Sequence, residues 1–205
     1  MPRGAYVHVT EDERIEERFQ CAPGPGGWRY VGTRSDGLRT DVVVDGRWRQ
    51  IRVEVATPAW VVRGGLAGHD LLWVRHPAGS AGSAAEPPGE HGVRAAGFVG
   101  GSPGFLVAVA RWLRLDPGAD APVRLVRVEG PSLATLTVDQ RWRLVDVTAY
   151  ETETAPLPVE RYEVTDLATG EIDTVHLAGD VVLEAPGVEL VELESPPNLT
   201  AQPSG

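Results

Sequence analysis

Residues 97–145 read GFVGGSPGFLVAVARWLRLDPGADAPVRLVRVEGPSLATLTVDQRWRLV. This stretch decides the fold class. Ser102-Pro103 starts a helix, with serine as the cap and proline in the first turn, where its missing N–H costs nothing. Phe105, Leu106, Val109, Trp112 and Leu113 recur at helical spacing and predict the core-facing stripe. Arg111 and Arg114 stand near the C-terminal end, where cations offset the helix dipole. Pro117-Gly118 stops the helix, so it runs over about 103–115. Val93–Val99 before it, and Val123–Val128 and Leu136–Val147 after it, read as strands.

Working outward, the rest of the chain is strand and turn. Trp28–Thr33 reads as a strand ended by Ser35-Asp36-Gly37. Leu38–Val44 and Arg47–Val55 flank Asp45-Gly46, which predicts a two-residue hairpin turn. That turn would pair Val44 with Arg47 and Val43 with Trp48. Trp60–Arg63 and Asp70–His76 are two further strands. Residues 78–92 are rich in Ala, Gly, Ser, Pro and Glu, and read as a flexible loop inside the domain. Tyr162–Asp166 and Glu171–Leu177 form a hairpin around Leu167-Ala168-Thr169-Gly170, and Val181–Glu184 and Val188–Glu194 follow around Pro186-Gly187. Near the N-terminus, Thr10 with Glu13 fits a capping box, and a short helix or a strand could follow to Cys21. Residues 195–205 read as a disordered tail. The expectation is one domain over 1–205: a mainly β (α+β) fold, with a strongly curved antiparallel sheet, a spiral β-roll or half-barrel, packed on one main helix.

Composition narrows the function. The net charge is −10, and a surface that binds nucleic acid needs concentrated positive charge. The same balance argues against a polybasic membrane patch. All 19 cationic side chains are arginine, so Schiff-base chemistry and a phosphate-loop lysine are excluded. Cys21 is the one cysteine, so no intrachain disulfide forms. The first twenty residues carry no apolar core of a secretory signal, and the longest apolar run, Phe105–Ala110, is far too short to span a bilayer. The protein is expected to be cytoplasmic and not inserted in a membrane.

The run S-P-x-F-L, then L-R-L-x-P-G, V-R-L-V-R-V, P-x-L and V-D-Q-R-W-R-L resembles the middle of a family of uncharacterised bacterial β-roll proteins named for glycolipid binding. Gly179–Val188, GDVVLEAPGV, is similar to that family's closing segment, although Ala185 stands where the family has tyrosine. Arg141-Trp142-Arg143 and the 78–92 segment also depart from its pattern. The resemblance implies a curved sheet around a helix, similar in shape to lipoprotein and lipid carriers.

Candidate ligand-binding residues are Trp48, Arg52, Trp73, Arg141 and Trp142. Tryptophans in an apolar concavity suit an acyl chain. They equally suit the core of a sheet with three phenylalanines and four tyrosines for other aromatic bulk. Arginines two apart on a strand, such as Arg47/Arg49 and Arg141/Arg143, could hold an anionic head group, or form a solvated face paired with carboxylates. The five histidines and Cys21 show no metal-ligand spacing. Gly101-Ser102-Pro103-Gly104 reads as a helix start, and Asp139 and Glu160 are carboxylates with no partner visible in the sequence. The expected function is non-enzymatic binding of a hydrophobic or amphipathic, glycolipid- or acyl-chain-like molecule in a concave β-sheet, its apolar part held inside the curve, with no cofactor and no metal. One alternative is a structural or partner-binding β module with a filled core. The other is a hydrolase or isomerase acting on a bulky apolar substrate, with a histidine or a carboxylate as base and His69 and His76 as the candidate histidines.

Overall fold

The computed structural model describes residues 1–10, 13–24, 26–79, 89–153 and 155–199. Within them lie fifteen strands and one helix. The N-terminal half contributes β1 (Arg3–Val9), β2 (Arg14–Gly24), β3 (Gly27–Arg34), β4 (Arg39–Asp45), β5 (Gln50–Ala56), β6 (Trp60–Ala67), β7 (Asp70–Pro77) and β8 (Gly89–Val93). Then come β9 (Phe98–Gly100), α1 (Pro103–Leu113), β10 (Asp120–Glu129) and β11 (Ala134–Tyr150). The chain closes with β12 (Leu157–Asp166), β13 (Ile172–Ala178), β14 (Val181–Ala185) and β15 (Val188–Leu193).

All fifteen strands belong to one sheet, in the order β8-β7-β6-β5-β4-β3-β2-β1-β15-β14-β13-β12-β11-β10-β9. Neighbours are antiparallel except β9 and β10. That pair is parallel because the chain passes through α1 between them, and a parallel partner requires such a crossover. The sheet must curve. α1 touches β4 and β14, which lie five places apart in the order. A flat sheet would separate them by roughly 24 Å, and a helix is only about 10–12 Å wide. The β9 edge also comes over β5. The Gln50 amide donates to Phe98 O (3.0 Å), and Phe98 N–H donates to Gln50 Oε1 (2.7 Å). Gln50 thus supplies a short piece of ladder that β9 would otherwise lack.

Several turns form as the sequence predicts. Gly37, Gly170 and Gly187 take φ of 92°, 77° and 68°, a left-handed region open to glycine at little cost. The Asp45-Gly46 hairpin differs. Val44 pairs with Gln50 and Val43 with Arg52, so the loop is longer than two residues. Asp45 Oδ1 accepts from the N–H groups of Arg47 and Arg49, which draws both into the turn. The left-handed position falls on Trp48 (φ 63°), whose ring lies on Trp28 at 5.4 Å between centroids. Near the N-terminus, Thr10 Oγ1 does accept from Glu13 N–H, but the bond shapes the β1–β2 connection and the following residues are strand. β1 itself went unread in the sequence. Residues 80–88, within the expected 78–92 loop, lie outside the described residues, while Gly89–Val93 pairs with β7 as a strand. Residues 200–205 of the expected tail also lie outside them. Asn198 is tied down, its N–H donating to Asp180 Oδ1 at 2.7 Å.

α1 begins where Ser102-Pro103 predicts, but Ser102 makes no side-chain cap. Its buried side is wider than the predicted stripe, because Val107, Ala108, Ala110 and Arg111 are buried while Leu106, Trp112 and Leu113 are half-buried. Arg111 is no surface cation. It lies inside, in an ion pair with Glu160 (2.6 Å), and donates to Gly179 O. The first turn rests on the ring of Tyr30, and a methyl at Gly104 would stand 2.4 Å from Tyr30 Cγ. Gly104→Ala is expected to lower stability by about 1–3 kcal/mol, since overpacking outweighs the gain in helix propensity. Urea unfolding measures it; an unchanged or raised midpoint would mean that the helix lifts off Tyr30 freely.

Candidate functional site

The junction of β9 and α1 gathers the polar interior of the molecule. Gly100-Gly101 ends the strand, Ser102 stands at the corner, and Pro103 opens the helix. Ser102 donates its hydroxyl to Glu17 Oε1 at 2.5 Å. Glu17 lies on β2 on the same face as Phe19 and Cys21, and is 0% exposed. Tyr30 on β3 donates to the same oxygen (2.7 Å), and His8 Nε2 on β1 donates to the other (2.6 Å). A buried carboxylate is tolerable only when donors replace water, and three do so here. Gly32 makes the room, because a methyl there would sit 2.1 Å from Glu17 Oε1. Burial, with the neighbouring Glu17 charge second, holds the Tyr30 hydroxyl well above the usual phenol range, so it stays a donor.

Two cavities open around this corner. One, of about 550 Å³, is lined by Ile15, Arg34, Leu38, Val128 and Leu133 among others. The second, of about 490 Å³, includes Ser102, Leu106, Val164, Val175 and Val188. They share Val99, Gly100, Gly101, Arg127 and Glu129. His8 pairs across the sheet with Ile15 on one side and Val188 on the other, and cross-strand partners share a face. His8 therefore sits between Ile15 of the first cavity and Val188 of the second, and Ser102, at the other end of the His8–Glu17–Ser102 chain, borders the second. Arg34 binds Asp36 (2.7 Å), and its Nε is buried with no partner among the described residues. Arg127 is held by Asp166 at 3.1 Å. Asp173 also lines the second cavity, and partial burial, followed by the nearby Glu171, raises its carboxyl above the usual range.

The five residues picked from sequence stand elsewhere. Trp142 is buried in the core, with its indole N–H on Gln140 Oε1 at 3.1 Å. Trp73 is buried between His91 and Phe98. Trp48 is half-buried against Trp28. Arg52 pairs with Asp41 (2.8 Å) and Arg141 with Asp120, both on the exposed face. None of the five lines either cavity. Asp139 is half-buried and bound to Arg124, which, through its hydrogen bond, holds the carboxyl below the usual range. His69 is exposed, and His76 Nδ1 donates to Pro77 O. Among the described residues no group of three His, Cys, Asp or Glu is placed to hold a metal ion, and no helix is long and apolar enough to cross a membrane.

The residues that sequence reasoning missed are His8, Glu17 and Ser102. One signal was present: Gly100-Gly101-Ser102-Pro103-Gly104 fits G-x-S-x-G at a strand-to-helix turn. No comparable signal marks Glu17, because the sequence leaves the segment to Cys21 open between a short helix and a strand, and without that choice its inward face is not assigned.

No protein-family profile matches the sequence, and no curated relative matches it. A solved structure of a DUF1089 family protein from Pseudomonas aeruginosa is similar, with a TM-score of 0.51 and 14% identity over 90% of each chain. At that identity the likeness concerns the fold alone: a mainly β chain with the same broad architecture as a DUF1089 protein.

Proposed function

We propose that this protein binds an amphipathic, glycolipid- or acyl-chain-like small molecule in the groove made by the two cavities. In this reading the sheet is a roll around α1, and the ligand sits at its mouth rather than in its interior. The observation that carries it is the lining the two cavities share at Val99–Gly101, with apolar Ile15, Leu38, Leu106 and Val188 around it and Arg34 and Arg127 among the polar groups, which also include Glu129, Asp166 and Asp173. Their sizes, about 550 and 490 Å³, fall in the usual range for small-molecule sites. The interior itself is filled by Trp142, Tyr6, Tyr30, Tyr162, Phe98 and Phe105. That filling favours a second reading, a partner-binding module with no ligand.

Titration with a fluorescent fatty acid, alongside native mass spectrometry for co-purified lipid, separates the two. Leu106→Trp, which narrows the second cavity from the half-buried face of α1, is expected to weaken probe binding about tenfold. Leu72→Trp, on an exposed side chain outside both cavities, is expected to leave it unchanged. No binding by the unaltered protein, or equal effects of the two substitutions, would remove the groove reading.

A further inference from the structure

We propose that Ser102 is a nucleophile that cleaves carboxylic esters held in the groove. This rests on the small-molecule reading above and adds a reaction to it. Three observations converge. Ser102 stands between β9 and α1 within G-x-S-x-G, on an extended backbone (φ −92°, ψ 133°) instead of the strained turn of an esterase elbow. Its hydroxyl is not spent on capping the helix; it points 2.5 Å to Glu17 Oε1. It also borders a cavity of about 490 Å³, although it is itself only 1% exposed, and the cavity wall carries Leu106, Val164, Val175 and Val188 beside the carboxylates Glu129, Asp166, Glu171 and Asp173.

An activated serine needs a base within hydrogen-bond reach of its proton. Glu17 Oε1 meets that requirement directly, with no histidine between. Glu17 Oε2 is occupied by His8, so the carboxylate presents Oε1 toward Ser102. Pro103 has no N–H, so the first backbone donor of α1 beyond Ser102 is Gly104, at the positive end of the helix dipole, where an oxyanion is stabilised.

The steps balance as follows. Ser102 Oγ attacks the ester carbonyl carbon as its proton passes to Glu17 Oε1. The C–O bond to the alcohol breaks, and the alcohol leaves with that proton. Water then attacks the acyl-serine, giving one proton to Glu17. The acyl C–O bond breaks, the acid departs, and Ser102 recovers its proton. Ester and water become acid and alcohol, with no other reactant. Gly104 and Gly32 fit this site sterically, since side chains there would strike Tyr30 and Glu17.

The test uses the full chain and a fluorophosphonate probe, with the adduct located by mass spectrometry. One adduct on Ser102 is expected. Hydrolysis of p-nitrophenyl butyrate and octanoate is expected to fall about 100-fold or more in Ser102→Ala. Circular dichroism and urea unfolding of the same variant show that it is folded, and fatty-acid binding is read on the unaltered protein. A serine that merely anchored the helix would give neither the adduct nor the loss of turnover. No adduct on the unaltered protein, or hydrolysis undiminished in Ser102→Ala, would overturn the proposal. If fatty-acid binding persists in that case, the groove reading stands and the nucleophile alone falls; if binding is absent as well, both fall.

Discussion

Glu17→Ala is expected to lower the free energy of unfolding by about 3–5 kcal/mol. The carboxylate is fully buried and receives three hydrogen bonds, from Ser102 (2.5 Å), His8 (2.6 Å) and Tyr30 (2.7 Å). Alanine removes the acceptor and leaves three buried donors. Each orphaned donor costs about 1–3 kcal/mol, and the sum is trimmed because water can enter from the adjoining cavities. Glu17→Gln is the informative contrast. Its amide oxygen can still accept from Ser102 and Tyr30. Its amide N–H₂ would face His8 Nε2, which can become an acceptor by changing tautomer. The glutamine variant should therefore lose only about 1 kcal/mol. Urea unfolding of both variants checks this. Equal losses, or less than about 1 kcal/mol for alanine, would show that the buried network contributes little.

Arg111→Met should destabilise the protein by a similar amount, about 3–5 kcal/mol. Arg111 is buried on α1, with two nitrogens on Glu160 (2.8 and 2.6 Å) and two bonds to Gly179 O (3.0 and 2.6 Å). It ties the helix to β12 and to the β13–β14 turn at once. Methionine fills most of the space but leaves the Glu160 charge buried without its cation. The double change Arg111→Met/Glu160→Leu removes both charges and should recover most of the loss, leaving mainly the orphaned Gly179 carbonyl. A double variant as unstable as Arg111→Met alone would assign the cost to packing instead of charge.

Both networks show where the sequence stopped being informative. Arg111 at a helix C-terminus reads as a dipole partner, and that is the usual place for an exposed cation. Here the sheet curves until β12 and the β13–β14 turn meet that helix face. Glu17 falls on the face of β2 that also carries Ile15, Phe19 and Cys21, opposite Arg14, Glu16, Arg18 and Gln20, so alternation places it inward once the segment is known to be a strand, but it cannot name the partners that would make a buried carboxylate tolerable. The five chosen site residues stand outside both cavities. Arg52 and Arg141 found carboxylates on their own sheet face, and Trp73 and Trp142 became core.

By itself the sequence determined the local pieces: the helix start at Ser102-Pro103, its stop before Pro117-Gly118, the glycine-bearing turns, and most strands. These depend on backbone preferences and side-chain period within a few residues, which a sequence carries directly. Only the tertiary structure decided the 45–50 register, the parallel β9–β10 pair, the passage of β9 over β5, and the meeting of His8, Glu17, Tyr30 and Ser102. Those contacts join residues up to 85 positions apart, as Ser102 and Glu17 are. They exist because curvature accumulated over fifteen strands brings remote faces together, and no short window of sequence encodes that sum.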